Sequence, residues 1–319
     1  MLMIIDGNNL AHRARHTFSL SNRGIDVSVT YGFLRVLQSL ISKYRPKSVM
    51  VCFDGGIPEF RRQAVPEYKA NRHKDEDPEA WEDFNRQLNE LCDYALPLMG
   101  IVVVRKPGAE ADDLMYHASR LYTGKSMLVT NDKDLLQSVS EDVSVLSPSK
   151  EIIYTPVNFE ELVGVQLEKY IDWRAIQGDG SDNIPGVPGI GEKTATKLFQ
   201  HYGTLTYIVN AALGHHPTEK LEGKVASNLL AFGWERITKN IYITALYADR
   251  VGAKRAIEQA VGNYRYADKD RIKKYLMRNG FVSLMEGRFY NCMLDLKEPK
   301  LKFEGIRMPV VAGRRVAAL

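Results

Sequence analysis

Acidic residues gather at five places in the first 182 residues of this 319-residue chain. They are Asp6 in IIDGNN, Asp54 in VCFDGG, Glu110, Asp112 and Asp113 in GAEADD, Asp132 and Asp134 in VTNDKD, and Asp179 and Asp182 in GDGSDN. Carboxylates converging on one pocket repel one another unless divalent cations neutralise them, so the pattern reads first as a metal site. Hard oxygen donors suit Mg²⁺ or Mn²⁺. Zinc fits poorly, because Cys52, Cys92 and Cys292 have no ligand spacing and the seven histidines are scattered.

Such residues need a scaffold that aims them at one point. Residues 2–5 (LMII), 48–53 (SVMVCF), 101–104 (IVVV) and 126–130 (SMLVT) are short apolar runs with the pattern of buried parallel strands. Between them, 31–44 puts Phe33, Leu34, Leu37, Leu40, Ile41 and Tyr44 on one helical face, and 81–99 carries a similar stripe through Phe84, Leu88, Leu91, Ala95 and Leu98. Alternating strand and helix predicts a doubly wound, mostly parallel α/β domain. The crevice of such a sheet lies beyond the carboxyl ends of its strands, and Asp6, Asp54 and Asp132 each lie within two residues of such an end. The trio at 110–113 precedes the helix-like DDLMYHASRLY, where acidic residues also complement the helix dipole without any metal.

The net charge is +4 and the pI near 8.7, so basic surface elsewhere must offset the acidic clusters, a balance suited to a polyanion delivered to bound metal. Two stretches match that reading. In EFRRQAVPEYKANRHK, Arg61, Arg62, Lys69, Arg72 and Lys74 crowd around Tyr68, and basic side chains interleaved with an aromatic suit a single strand; a solvated charged loop is the plainer account. In NIPGVPGIGEKTATKLF, the glycines Gly186, Gly189 and Gly191 are followed by a helix starting at Glu192 or Lys193 and carrying Lys193 and Lys197, a helix-hairpin-helix signal whose amides can hold a phosphate oxygen. Basic residues then thicken toward YADKDRIKKYLMRNG. The MLMIID start is too short for a signal segment and no apolar run approaches a membrane span, so a cytoplasmic protein with reduced thiols is expected.

Taken in order, IIDGNN, VCFDGG, PEYKANR, GAEADD, VTNDKD and QGDGSDNIPGVPGIGEKTA resemble the 5′-nucleases of the flap endonuclease superfamily. The layout is similar to stand-alone phage enzymes and to the 5′-nuclease domain of bacterial DNA polymerase I. The resemblance implies a PIN-like sheet, a helical arch over the active site at about 59–100, and a helix-hairpin-helix module that holds duplex DNA, often with K⁺. It implies two Mg²⁺ sites, with Asp6, Asp54, Glu110, Asp112 and Asp113 serving the first and Asp132, Asp134, Asp179 and Asp182 the second. Lys69 and Arg72 become catalytic candidates at the scissile phosphate. Tyr68, Arg61, Arg62, Lys74, Gly189, Gly191, Lys193 and Lys197 become DNA-binding candidates. The expected boundaries are a nuclease domain over 1–182, a helical DNA-binding region over 183–290 and an extension over 291–319.

The expected substrate is DNA with a 5′ flap or free 5′ end, including RNA–DNA hybrids at primers, cut by a monomer in replication or repair. Two rivals remain. A PIN-type endoribonuclease shares the acidic sheet-end site but is usually shorter and lacks the hairpin module. A non-catalytic DNA-binding accessory protein would leave clustered charge unneutralised at a cost in stability.

Overall fold

In the computed structural model, residues 1–70, 77–285 and 288–302 are described. Eight strands occur among them: β1 (Leu2–Asp6), β2 (Ser21–Asn22), β3 (Ile25–Asp26), β4 (Ser48–Phe53), β5 (Val102–Arg105), β6 (Ser126–Val129), β7 (Val143–Ser147) and β8 (Ile152–Tyr154). Six form one sheet in the order β5-β4-β1-β6-β7-β8, and β2 pairs with β3 in a separate antiparallel ribbon. The pairings β1–β4, β1–β6, β4–β5 and β6–β7 are all parallel. Strands covered on both faces must be apolar throughout, and Leu2, Met3, Ile4 and Ile5 are fully buried, as are Met50, Val51, Cys52 and Phe53. The connections run outward from β1 through β4 to β5, then cross to β6 on its other side. The order therefore reverses between β1 and β6, where a doubly wound sheet opens its crevice.

The chain divides into two compact units. The first comprises residues 1–57, 77–153 and 249–302. Its helices include Gly7–Thr17, Ser28–Tyr44, Pro78–Glu90 and Ala111–Leu121. The apolar stripe predicted for 81–99 is present: Phe84, Leu88, Leu91 and Ala95 are buried, and one wide turn at Leu91–Ala95 keeps them on the core face as the helix runs on to Leu98. The described part of 77–100 thus belongs to the core of this unit, which departs from an arch running to residue 100. Residues 249–302 also fold into this unit and not with the hairpin region. Ile272, Tyr275, Leu276 and Phe281 enter the core that holds Phe33, Leu37 and Leu88. Beyond residue 290, Leu296 is buried, Lys297 N–H donates to the Lys47 carbonyl, and Thr123 N–H donates to that of Lys300.

The second unit comprises residues 58–70 and 154–248. It is helical, with Tyr170–Gln177, Glu192–Tyr202, Leu205–Leu213, Gly223–Phe232 and Trp234–Thr244 as its main elements. Its hairpin turns where the glycines predict. A Cβ on Gly186 would sit 1.8 Å from the Gln177 carbonyl oxygen, so only glycine allows the two segments this close. Asn240 locks the approach by donating to the carbonyls of both Ala175 and Pro185 at 2.8 Å. The three cysteines are free, with Cys52 and Cys92 buried.

Candidate metal centre and nucleic-acid contacts

In the first unit, seven of the nine expected carboxylates lie at strand ends or the helix starts that follow them. Asp6 ends β1 and caps the helix Gly7–Thr17, accepting from Asn9 N–H at 2.9 Å. Its other oxygen accepts from the Thr130 hydroxyl at 2.9 Å, a bond that spans the reversal point between β1 and β6. Asp54 follows β4 and accepts from Ala111 N–H at 2.8 Å, which fastens it to the start of the helix Ala111–Leu121. The loops beneath are crossed by Gly55 N–H to the Ala109 carbonyl at 2.8 Å. A Cβ on Gly55 would lie 1.8 Å from the Lys106 carbonyl oxygen, which explains the glycine after Asp54.

Glu110, Asp112 and Asp113 offer carboxylate oxygens all within 4.8 Å of one another, and Glu110 and Asp113 are buried. Burial at that separation exceeds what a dipole-complementing first turn requires. Asp132 caps the short helix Lys133–Ser138 by accepting from Asp134 N–H at 2.8 Å, while its own N–H donates to the Thr130 hydroxyl at 3.0 Å. Thr130 thus links both sides of the crevice.

The electrostatics tie these groups together. Lost hydration raises the Asp6 carboxyl to about 7, Asp54 and Asp112 push in the same direction, and the bonds from Asn9 and Thr130 oppose it. Asp132 is held well above the ordinary carboxylate range, first by lost hydration of its carboxyl and then by Asp134, Asp112 and Asp6; the residue itself keeps an exposed surface. Asp112 acts on both Asp6 and Asp132 and is also a member of the close trio. Carboxyls pushed up by neighbouring carboxylates in this way favour a nearby cation, and an all-oxygen donor set fits a hard divalent ion. Asn8, Asn9 and Thr130 escaped the sequence reading as site residues. Their signal was adjacency to the acids, since Asn8 accepts from Asp54 N–H at 2.9 Å and Asn9 and Thr130 both hold Asp6.

In the second unit, Asp179 and Asp182 flank a tight turn and each faces a cation. Burial works to raise Asp179, but bonds from Ser181 and from Arg174 at 2.8 Å outweigh it and hold the carboxyl below its ordinary value. The Asp182 carboxylate lies 3.6 Å from Lys69 Nζ and accepts from the Tyr68 hydroxyl at 3.3 Å. The same segment is pinned through its backbone: Lys69 N–H donates to the Asp182 carbonyl at 3.1 Å and Asn183 Nδ2 to that of Glu67 at 2.8 Å. Lys69 adopts φ +56°, a left-handed conformation costly for a side-chain-bearing residue.

Two of the DNA-contact expectations need correction in this unit. Arg61 is 1% exposed, its Nε donating to the Ile243 carbonyl at 2.9 Å, so it holds the segment down instead of offering charge to a strand. Tyr68 is buried with its ring under Lys69, so its faces are not open to a base. The reason in both cases is that the stretch packs on the helix Trp234–Thr244 and the 179–184 turn, which its charged composition concealed. Arg62 is exposed and paired with Glu59. Gly189 has φ +80°, Gly191 caps the helix Glu192–Tyr202, and Lys193 and Lys197 are exposed on that helix. Arg72 and Lys74 lie outside the described residues.

The family described as 5′-3′ exonuclease, N-terminal resolvase-like domain, matches residues 1–164, and the 5′-3′ exonuclease C-terminal SAM fold matches residues 165–257. The chain belongs to the 5′-3′ exonuclease family. Among its relatives, DNA polymerase I of Mycobacterium bovis is 36% identical over 259 residues, covering 78% of this chain and 27% of that protein. The thermostable DNA polymerase I of Thermus filiformis is 38% identical over 232 residues, covering 72% and 27%. The chain spans about a quarter of the length of those relatives. The flap endonuclease of bacteriophage T5, solved as a pseudo-enzyme–product complex with DNA and metal ions, matches with a TM-score of 0.66 at 25% identity over 82% of this chain and 98% of its own. The phage T5 5′-exonuclease with bound zinc matches at 0.64, with 26% identity over 87% and 98%. The α/β fold with a mostly parallel sheet and a helical C-terminal part is the fold of this family.

Proposed function

We propose that this chain is a divalent-metal-dependent, structure-specific 5′-nuclease that hydrolyses phosphodiester bonds in DNA, as a 5′-flap endonuclease and a 5′→3′ exonuclease. The observation that carries the reading is the elevation of Asp6 and Asp132, both pushed up by Asp112, which belongs to a trio with Glu110 and Asp113 whose oxygens lie within 4.8 Å. Asp6, Asp54, Glu110, Asp112, Asp113, Asp132 and Asp134 would hold the ions, for which Mg²⁺, or Mn²⁺ in its place, fits the donor set. When bound, such ions supply Lewis acidity and water of lowered pKa. The assignment of Asp179 and Asp182 to a second ion rests on the family resemblance alone.

The chain's own residues contribute orientation and charge. Asn9 and Thr130 fix both oxygens of Asp6, and Ala111 N–H fixes Asp54, so neither carboxylate reorients when an ion arrives. Lys69, held in a strained backbone conformation beside Asp182, would be the cation that stabilises charge developing on a phosphate, with Arg72 as its expected companion. Lys193 and Lys197, on the helix that Gly191 caps, would hold duplex backbone, with K⁺ at the hairpin as the resemblance implies. Such a chain would remove flaps and RNA primers in replication or repair, acting as a monomer in the cytoplasm or nucleoid. Among the described residues, no helix is long and apolar enough to cross a membrane.

The test is a duplex with a labelled 5′ flap, incubated with Mg²⁺ or with EDTA. Short labelled products cut near the junction, present only with Mg²⁺, are the expected result. Cleavage confined to single-stranded RNA would move the chain to an endoribonuclease role, and binding without cleavage to an accessory role.

A further inference from the structure

The charge of this protein is concentrated in one place. Residues 254–278 contain eight Lys or Arg against three Asp or Glu, a net of +5, whereas the whole chain carries +4; all other residues together sum to −1. Most of this stretch follows residue 257, where the matched families end. Five of its eight basic residues lie on the helix Lys269–Arg278 in the first unit.

That helix is a rigid mount. Asp268 caps it by accepting from Arg271 N–H at 3.0 Å, Ile272 and Leu276 are fully buried, and the Tyr275 hydroxyl donates to Glu90 at 3.1 Å. At its far end the Arg278 carbonyl accepts from Asn22 Nδ2 at 3.0 Å. With Ile272, Tyr275 and Leu276 turned inward, helical geometry turns Lys273, Lys274, Met277 and Arg278 outward, and all four are exposed. None of the three basic residues takes part in an ion pair among the described residues. Lys274 and Arg278 are like charges four residues apart, an arrangement that weakens an isolated helix by roughly 0.2–0.5 kcal/mol. They stand roughly 6 Å apart along the axis, about two 3.4 Å phosphate steps of one DNA strand.

We propose that the outward face of Lys269–Arg278 is a second nucleic-acid contact, binding the phosphate backbone of duplex DNA independently of the hairpin that carries Lys193 and Lys197. Its contacts are sequence-independent and set affinity, not the rate of bond cleavage. The inference rests on the proposed nuclease function, because it takes DNA as the polyanion.

The test uses the full chain and a fluorescein-labelled 5′-flap duplex. Anisotropy in EDTA gives affinity between 50 and 200 mM KCl, and single-turnover cleavage with Mg²⁺ at saturating enzyme gives the rate. The triple variant Lys273→Ala, Lys274→Ala, Arg278→Ala should bind at least tenfold more weakly at about 100 mM salt, with a log–log salt slope shallower by about 2 to 3. Its saturating cleavage rate and melting temperature should match wild type, as should all properties of a control lacking the exposed Lys125 and Lys150. An unchanged affinity and slope in a triple variant whose wild type cleaves flaps overturns this inference and leaves the nuclease reading standing. A wild type that neither binds nor cleaves overturns both. Loss of poly-glutamate binding with DNA binding intact also overturns it, by assigning the face to an acidic protein partner.

Discussion

Replacing Asp6 with asparagine tests the electrostatic state of the metal centre directly. The folded-state pKa of Asp6 is about 7 against an ordinary 3.8, so the folded chain holds this proton more tightly than the unfolded chain across that window. Stability is therefore lost as pH rises from about 4 to 7, and above 7 the full penalty stands. Three pKa units at 1.36 kcal/mol each set an upper figure of about 4 kcal/mol. Partial exposure of Asp6 and relaxation of the surrounding loops reduce it, so an effect of about 2 kcal/mol is a realistic expectation. The side-chain amide in Asp6→Asn would keep an oxygen for Asn9 N–H and a polar group for Thr130, so the substitution removes charge with little loss of hydrogen bonding. Urea unfolding in EDTA at pH 5 and pH 8 should show Asp6→Asn gaining stability over wild type at pH 8, with the gain shrinking at pH 5. With Mg²⁺ at pH 8 the order should reverse, since bound cation stabilises only the chain that can hold it. Comparing the variant with wild type at each pH cancels the titration of every other group. A variant less stable than wild type in EDTA at pH 8, by the same amount as at pH 5, would show that Asp6 carries no uncompensated charge and would remove the main support for the metal centre.

Three further outcomes follow from the geometry. Lys69→Met should lower the single-turnover cleavage rate by more than tenfold while flap affinity in EDTA changes little; an unchanged rate removes Lys69 from the chemistry. Gly55→Ala places a methyl 1.8 Å from the Lys106 carbonyl and should both lower the melting temperature and weaken Mg²⁺ binding by calorimetry, because the displaced loop carries Asp54. Arg61→Ala strips a buried donor from the Ile243 carbonyl and leaves a cavity, so it should cost about 2–4 kcal/mol in urea unfolding, whereas Arg62→Ala on the exposed face should cost under about 0.5 kcal/mol.

Much of this architecture was legible because it depends on local pattern. Parallel strands covered on both faces require unbroken apolar runs, which is why β1, β4, β5 and β6 were found within a residue of their observed ends, and the acids that follow them needed only the rule that crevices open at carboxyl ends. β7 and β8 were missed: VSVLS is broken by serines, and β8 has only three residues. The burial of Arg61 was not legible at all, since its acceptor on Ile243 lies 182 residues away and nothing in EFRRQA separates it from the exposed Arg62. The same limit applies to the helix Lys269–Arg278. Its amphipathic period announces a buried face, but only the packing of Ile272 and Leu276 beside Phe33 and Leu37 assigns that face to the first unit.

The nine carboxylates looked equivalent in the sequence, and their environments divide them. For Asp6 and Asp132 the charged neighbours that shift the carboxyl are other carboxylates, so nearby negative charge works against the ionisation of both. For Asp179 and Asp182 the near neighbours are Arg174 and Lys69, so each already has a counter-charge within its own unit. A cation approaching Asp6 or Asp132 relieves repulsion, whereas one approaching Asp182 must compete with the ammonium of Lys69. The competition works in both directions: while Lys69 neutralises Asp182 its charge is turned toward the protein, and a cation at that carboxylate would leave Lys69 available to a phosphate. Under the proposed function, Lys69 would couple the charge state of Asp182 to the supply of positive charge for the substrate, a link that counting acidic residues along the chain could not reveal.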